Sequence, residues 1–219
     1  MWRRIAAAAL ALAASAAAAA PALAAPTLDV TRQCAYSRQT VNFAGTGYRK
    51  DVPYRFTMNG RIVLSARTTT TGDIAGLIRL PRISRATGQR GYVLRVTDGA
   101  RTAVSRIYVT ALSADFAPRL PKSIRSRVTF TVRGMLRRFT TAYVHYIRPN
   151  GTVRATVSLG RTSGPCGLVS ARRQLFPFVP TAGRWRLQFD LRPGYSRSVR
   201  PKPFVRISLP IVRRAAARR

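Results

Sequence analysis

The stretch Tyr54-Arg55-Phe56-Thr57-Met58-Asn59-Gly60 decides the fold class. Tyr54, Phe56 and Met58 alternate with Arg55 and Thr57. A period of two puts apolar side chains on one face of a strand and polar ones on the other. Asn59-Gly60 then supplies a two-residue turn, because both central positions of a type I′ hairpin need positive φ. The same signature recurs along the chain. Tyr92, Leu94 and Val96 alternate with Val93 and Arg95, and Val128, Phe130 and Val132 with Thr129, Thr131 and Arg133. Val153, Ala155, Val157 and Leu159 alternate with Arg154, Thr156 and Ser158, and Trp185, Leu187 and Phe189 with Arg184, Arg186, Gln188 and Asp190. Val205, Ile207 and Leu209 close the series. Gly, Pro and Asn separate the runs, and no sustained helical periodicity intervenes. The pattern predicts an all-β chain.

The runs fall into two copies. Val41-Asn42-Phe43 with Gly47 matches Val128-Thr129-Phe130 with Gly134, and Asn59-Gly60 matches Asn150-Gly151. Gly76-Leu77 matches Gly167-Leu168, Gly91 with Tyr92 to Val96 matches Gly183 with Arg184 to Gln188, and Asp98 matches Asp190. The offset is 87 at the first pair and 91 or 92 afterwards, and one immunoglobulin-like sandwich occupies about 100 residues. Two tandem immunoglobulin-like β-sandwich domains are therefore expected, at residues 26–114 and 115–212. Pro118 and Pro121 interrupt any strand between them. A basic, disordered tail is expected at 213–219.

Residues 28–112 resemble a bacterial immunoglobulin-like domain. The resemblance is carried by Gly45-x-Gly47, the Asn59-Gly60 hairpin, Thr71-Gly72-Asp73 and Tyr92-Val93-Leu94-Arg95-Val96-Thr97-Asp98. The second half, through Gly164-Pro165-Cys166-Gly167 and Trp185-Arg186-Leu187-Gln188-Phe189-Asp190, resembles the partner domain of secreted actinobacterial proteins with tandem domains of this kind. The resemblance implies a fold and a secreted setting, and no activity.

Residues 1–25 read as a secretory signal peptide. Arg3 and Arg4 form a positive start, Ile5 to Ala20 is almost all Ala and Leu, Pro21 breaks the run, and Ala22-Leu23-Ala24 offers small residues for cleavage. A retained anchor would need roughly 20 strongly apolar residues, and an Ala-rich run is only mildly apolar. Arg interrupts every later apolar run, so no membrane span is expected after signal removal. The expected location is secreted or in the cell envelope. Cys34 and Cys166 are the only cysteines. They could pair once in an oxidising compartment, or stay apart in different domains.

The charge is extreme: 39 Lys and Arg against six Asp and Glu, a formal net charge of +33. Only Lys50, Lys122 and Lys202 are lysines, and all six acids are Asp. A GC-rich genome favours Arg over Lys, but it does not remove acids. The charge is also uneven. Leu28 to Ala117 carries 14 Lys and Arg and five Asp, whereas Pro118 to Arg219 carries 23 and one. Self-repulsion of this size opposes compaction unless anions neutralise it. An anionic partner of the second half is expected.

The catalytic inventory is poor. His145, in Tyr143-Val144-His145-Tyr146-Ile147, is the only histidine. No Gly-x-Ser-x-Gly elbow, P-loop or metal-ligand cluster occurs, and paired carboxylates for glycoside hydrolysis are scarce. No enzyme activity, metal or cofactor is expected. Asn150-Gly151-Thr152 fits a glycosylation pattern but reads more simply as a hairpin turn. The candidate polyanion-binding residues are Arg133, Arg154, Arg184, Arg186 and Arg206, each placed opposite the apolar face of its strand. Arg grips phosphate and carboxylate bidentately. The expected function is a non-enzymatic binding or structural module of the envelope contacting an anionic cell-wall polymer or polysaccharide. Extracellular nucleic acid is the alternative partner, with Tyr143, Tyr146 and Phe204 as a stacking platform. The alternative of a different class is an enzyme using His145 and Asp190.

Overall fold

The computed structural model describes residues 24–197 and 204–212. The expected signal peptide lies outside them except for its last two residues, and so does the expected tail. The described residues form strands and loops without helix. In the first half these are β1 (Asp29–Val30), β2 (Cys34–Tyr36), β3 (Thr40–Gly45), β4 (Pro53–Met58), β5 (Arg61–Arg67), β6 (Ile74–Arg79), β7 (Gln89–Thr97) and β8 (Thr102–Thr110). The second half contains β9 (Ser113–Ala117), β10 (Arg127–Arg133), β11 (Thr141–Ile147), β12 (Val153–Arg161), β13 (Val169–Gln174), β14 (Gly183–Asp190) and β15 (Val205–Ile211).

The two halves share one topology, apart from β2, which pairs parallel with β8 and has no counterpart among the described residues of the second half. Sheet β1-β3-β6 faces β2-β8-β7-β4-β5, and sheet β13-β10-β9 faces β12-β11-β14-β15. Each pair of sheets encloses its own core. Tyr54, Phe56, Tyr92, Leu94 and Val96 belong to the first, and Phe130, Tyr146, Trp185, Leu187 and Phe189 to the second. The alternation read from the sequence is thus the alternation of core and outer face. Strand β9 runs across the expected 114/115 boundary, pairs with β10, and places Phe116 in the second core. The chain is two immunoglobulin-like β-sandwiches in tandem.

Two of the sequence matches between the halves do not survive strand pairing. Gly76 lies opposite Phe43, but it is Ala171 that lies opposite Phe130. The equivalent of Gly76 is therefore Ala171 and not Gly167. On β7 the core residues are Tyr92, Leu94 and Val96, and on β14 they are Trp185, Leu187 and Phe189. An offset of 92 would map Tyr92 onto the outer-face Arg184. A slip of one residue exchanges the faces of a strand, so Asp98 and Asp190 point to opposite sides.

The two hairpin turns differ because Pro149 precedes the second Asn-Gly pair. Asn59 and Gly60 have φ of 48° and 81°, the two left-handed residues of a type I′ turn. At the second hairpin only Gly151 is left-handed, with φ of 90°, and its N–H donates to Arg148 O at 2.9 Å. Pro149 fixes its own φ near −65°, which suits the first central position of a type I turn followed by a left-handed glycine. The sequence reading of a hairpin holds, with a longer loop.

The halves are joined covalently. Cys34 in β2 and Cys166 in the turn before β13 form a disulfide with a Cα–Cα separation of 5.3 Å, 132 residues apart in sequence. The Tyr36 hydroxyl donates to Gly134 O across the junction at 2.7 Å, and burial pushes its pKa up to about 12. Gly88 lies under the Arg133 side chain: a Cβ there would come within 2.5 Å of Arg133 Cδ, and φ is 67°. Gly88→Ala is expected to weaken the junction and cost about 1–3 kcal/mol, from a strained left-handed residue and the displaced arginine; urea denaturation of the variant measures it.

Candidate anion-binding face

The candidate face is the outer surface of sheet β12-β11-β14-β15. On β14, Trp185, Leu187 and Phe189 enter the core, so Arg184, Arg186, Gln188 and Asp190 point outward. On β15 the same parity puts Arg206 opposite Gln188 and Ser208 opposite Arg186. On β11, His145 lies opposite Gln188 and Tyr143 opposite Asp190. Two arginines, a histidine, a glutamine and an aspartate therefore occupy adjacent positions on one surface.

The segment after β14 folds back over part of this surface. His145, Gln188 and Asp190 consequently have no solvent exposure. The Tyr195 ring sits edge-on to His145 at 5.8 Å between centroids. Buried polar groups need partners, and these have them. Thr156 Oγ1 and His145 Nδ1 are 2.8 Å apart, and His145 Nε2 lies 3.1 Å from Asp190 Oδ1. Gln188 Nε2 donates to Asp190 Oδ2 at 2.9 Å and to Ser196 O at 3.1 Å. The Arg192 N–H donates to Asp190 Oδ1 at 2.9 Å. Gln188 Oε1 accepts from Arg206 Nε at 2.8 Å, and Arg206 Nη2 donates to Arg197 O at 3.1 Å. One continuous network runs from Thr156 to Arg206. The histidine is satisfied in either charge state. Nε2 donates to the carboxylate in both, while Nδ1 accepts the Thr156 proton when neutral and donates to its oxygen when charged.

Asp190 titrates below the ordinary carboxylate value. Burial pushes its pKa up, but hydrogen bonds from His145, Gln188 and the Arg192 N–H outweigh burial. Asp98 in the first sandwich is also depressed. There burial is outweighed by N–H donors of Arg49, Arg101 and Ala100 and by the Arg49 charge. A carboxylate depressed in the fold contributes stability that is complete above its unfolded pKa and lost as the pH falls through the folded value. Thermal stability is therefore expected to decline as the pH drops below about 4. A pH series of melting curves on wild type and Asp190→Asn tests this, and the variant should show the shallower decline.

The five candidate arginines do not form one patch. Arg133 belongs to the other sheet, on β10, and lies against Gly88 at the junction. Arg154 sits at the β-bulge where β12 pairs with the end of β11, and its guanidinium covers the Phe178 ring at 5.6 Å. Arg184, Arg186 and Arg206 share the outer face of β14 and β15. The structure adds Arg197, which sequence reasoning missed because no strand period marks a loop residue. A concave site of about 300 Å³ is lined by Pro149, Asn150, Gly151, Arg186, Tyr195, Arg197 and Arg206.

The proposed aromatic platform does not exist as a surface. Tyr146 has no exposure and packs with Phe176 and Phe178 in the core, because it occupies the apolar face of β11. Tyr143 is half-buried on the opposite face, and the Arg206 guanidinium covers Phe204 at 4.7 Å.

No protein-family model matches the chain, and no characterised relative does at a significant level. Among solved structures, the human OSCAR ligand-binding domain aligns at a TM-score of 0.35 with 12% identity, over 86% of this chain and 98% of that one. Bovine butyrophilin aligns at a TM-score of 0.33 with 10% identity, over 87% and 100%. These similarities carry no inference about ligand or partner.

Proposed function

We propose that this chain is an exported, non-catalytic binding module of the cell envelope that contacts an anionic polymer through its second sandwich. One observation carries the reading: among the described residues no aspartate pairs with the arginines on the outer face of β14 and β15, and the carboxylate that shares the face, Asp190, is engaged with His145. The chain has only six Asp. Asp51 pairs with Arg67, Asp98 with Arg49 and Asp115 with Arg119, while Asp190 is buried against His145. Asp29 and Asp73 lie in the first half. Arginines in this position gain most from an outside anion, which they grip bidentately.

Export fits the sequence of residues 1–25 and the disulfide, since such bonds persist in oxidising compartments. Among the described residues no helix is long and apolar enough to cross a membrane. Thr156, His145 and Asp190 form a hydrogen-bonded chain of hydroxyl, imidazole and carboxylate, yet the His145 ring has no solvent exposure and Tyr195 packs edge-on against it. That arrangement suits a fixed polar network better than a base that must meet a substrate.

Two triple variants of equal charge separate this reading from a merely solvated surface. Arg184, Arg186 and Arg206 all become Gln in one. Arg55, Arg95 and Arg106, on the outer face of β4, β7 and β8, become Gln in the other. On a heparin column the first variant is expected to elute at clearly lower salt than the second. Elution of both at the same salt would show that only net charge matters.

A further inference from the structure

The concave site around Gly151 carries a sharper inference. Resting on the polyanion reading, we infer that it is a discrete pocket for one phosphodiester group of a base-free polyol-phosphate chain. Three observations support a built site. First, the guanidinium groups of Arg186 and Arg197 converge. A Cβ placed on Gly151 would lie 3.3 Å from Arg197 Nη2 and 3.7 Å from Arg186 Nη2. The glycine, left-handed at the end of its turn, leaves room for both. Second, Arg206 is held in place. Its Nε is fixed by the buried Gln188, its Nη2 by the carbonyl of Arg197, and its face by Phe204. Gln188 is fixed in turn by Asp190, and Asp190 by His145. A guanidinium anchored through a fully buried network loses little freedom when it binds. Third, the only carboxylate on this face among the described residues is already engaged within the fold. Asp190 Oδ1 accepts from His145 and the Arg192 N–H, and Oδ2 accepts from Gln188.

The chemistry of the lining selects the ligand. Three guanidiniums suit a tetrahedral anion with several equivalent oxygens, and the volume of about 300 Å³ admits one phosphate with its flanking polyol carbons. The lining offers no free aromatic face on which a base could stack. Tyr195, the one aromatic residue there, is engaged edge-on with His145, and a stacking surface is what single-stranded nucleic acid requires.

The test uses the intact chain and three probes: a synthetic glycerol-phosphate hexamer, a thymidine oligonucleotide of equal phosphate count, and inorganic phosphate. Titration calorimetry at low salt is paired with retention on heparin. The hexamer is expected to bind saturably and at least tenfold more tightly than the oligonucleotide. Arg206→Gln and Arg186→Gln are each expected to weaken it tenfold or more, while Arg154→Gln changes it less than twofold. Gly151→Val, which fills the point where the guanidiniums meet, provides a second blockade that removes no charge. Inorganic phosphate is expected to compete with the hexamer at high concentration. Equal or tighter oligonucleotide binding overturns the ligand assignment. Hexamer binding unchanged in Arg206→Gln and Gly151→Val, with heparin retention intact, overturns the pocket and leaves the broader reading standing. Loss of heparin retention in the wild type at low salt would remove both.

Discussion

Reduction of the Cys34–Cys166 bond in the intact protein should lower the free energy of unfolding by up to about 5 kcal/mol, the chain-entropy value for a loop of this length. The bridge closes a span of 132 residues and ties β2 of one sandwich to the turn before β13 of the other. Without it, the junction rests on contacts such as the Tyr36–Gly134 hydrogen bond, worth about 1 kcal/mol net, and the packing of Arg133 on Gly88. The oxidised chain should therefore unfold as one unit in denaturant, and the reduced chain or Cys166→Ser should show a lower midpoint and two separable transitions. In protein lacking residues 1–25, and with them Trp2, fluorescence of Trp185, buried in the second core, reports that half alone, and circular dichroism reports both. Coincident curves at an unchanged midpoint in the reduced protein would contradict this account of the junction.

The second large effect is expected at Asp190. Asp190→Ala leaves His145 and Gln188 buried without their shared partner and frees the segment that Arg192 anchors. Each buried donor left without its carboxylate acceptor costs about 1–3 kcal/mol. Thr156→Val, at the exposed end of the same network, should cost about 1 kcal/mol. Chemical denaturation ranks the two. Hydrogen exchange at the Arg192 amide should quicken in Asp190→Ala, because its acceptor is gone. Similar losses in both variants would mean that the network is not organised around the carboxylate. If the segment at Tyr195 to Arg197 loosens, anion binding should weaken as well, although Asp190 bears the wrong charge to touch an anion.

What could be read from residues alone was what strand periodicity controls. The core of both sandwiches follows from apolar positions two apart, and the common topology follows from the repeat. Asn59-Gly60 announced its turn type because the required φ values are local. Three other features were not local. Pro149 changed the second hairpin although Asn150-Gly151 repeats the same pair. The slip of one residue between β7 and β14 is visible only once strands are paired, since Tyr92 and Trp185 need partners across the sheet to fix their equivalence. Alternation along a strand reports which face a side chain takes within its own sheet, but not which sheet it belongs to. Arg133 and Arg186 therefore looked alike and lie apart. Arg197 and Tyr195 sit in a loop that covers the face, where neither period nor motif marks them. The sequence singled out His145 and Asp190 as a candidate pair without showing contact. They do touch, and the network they complete leads to an arginine on the face.

The salt dependence of binding tests the central claim most directly. Affinity of the intact protein for a polyol-phosphate polymer is measured from about 50 to 300 mM salt, alongside the Arg184, Arg186 and Arg206 triple Gln variant and the matched triple variant of the first sandwich. Each arginine that neutralises a phosphate releases a counterion, so removing one lowers the slope of log K against log salt by about 1. The account predicts a steep slope for the wild type, a fall of about two to three for the second-sandwich variant, and little change for the first-sandwich variant. Equal slopes for all three proteins would contradict it.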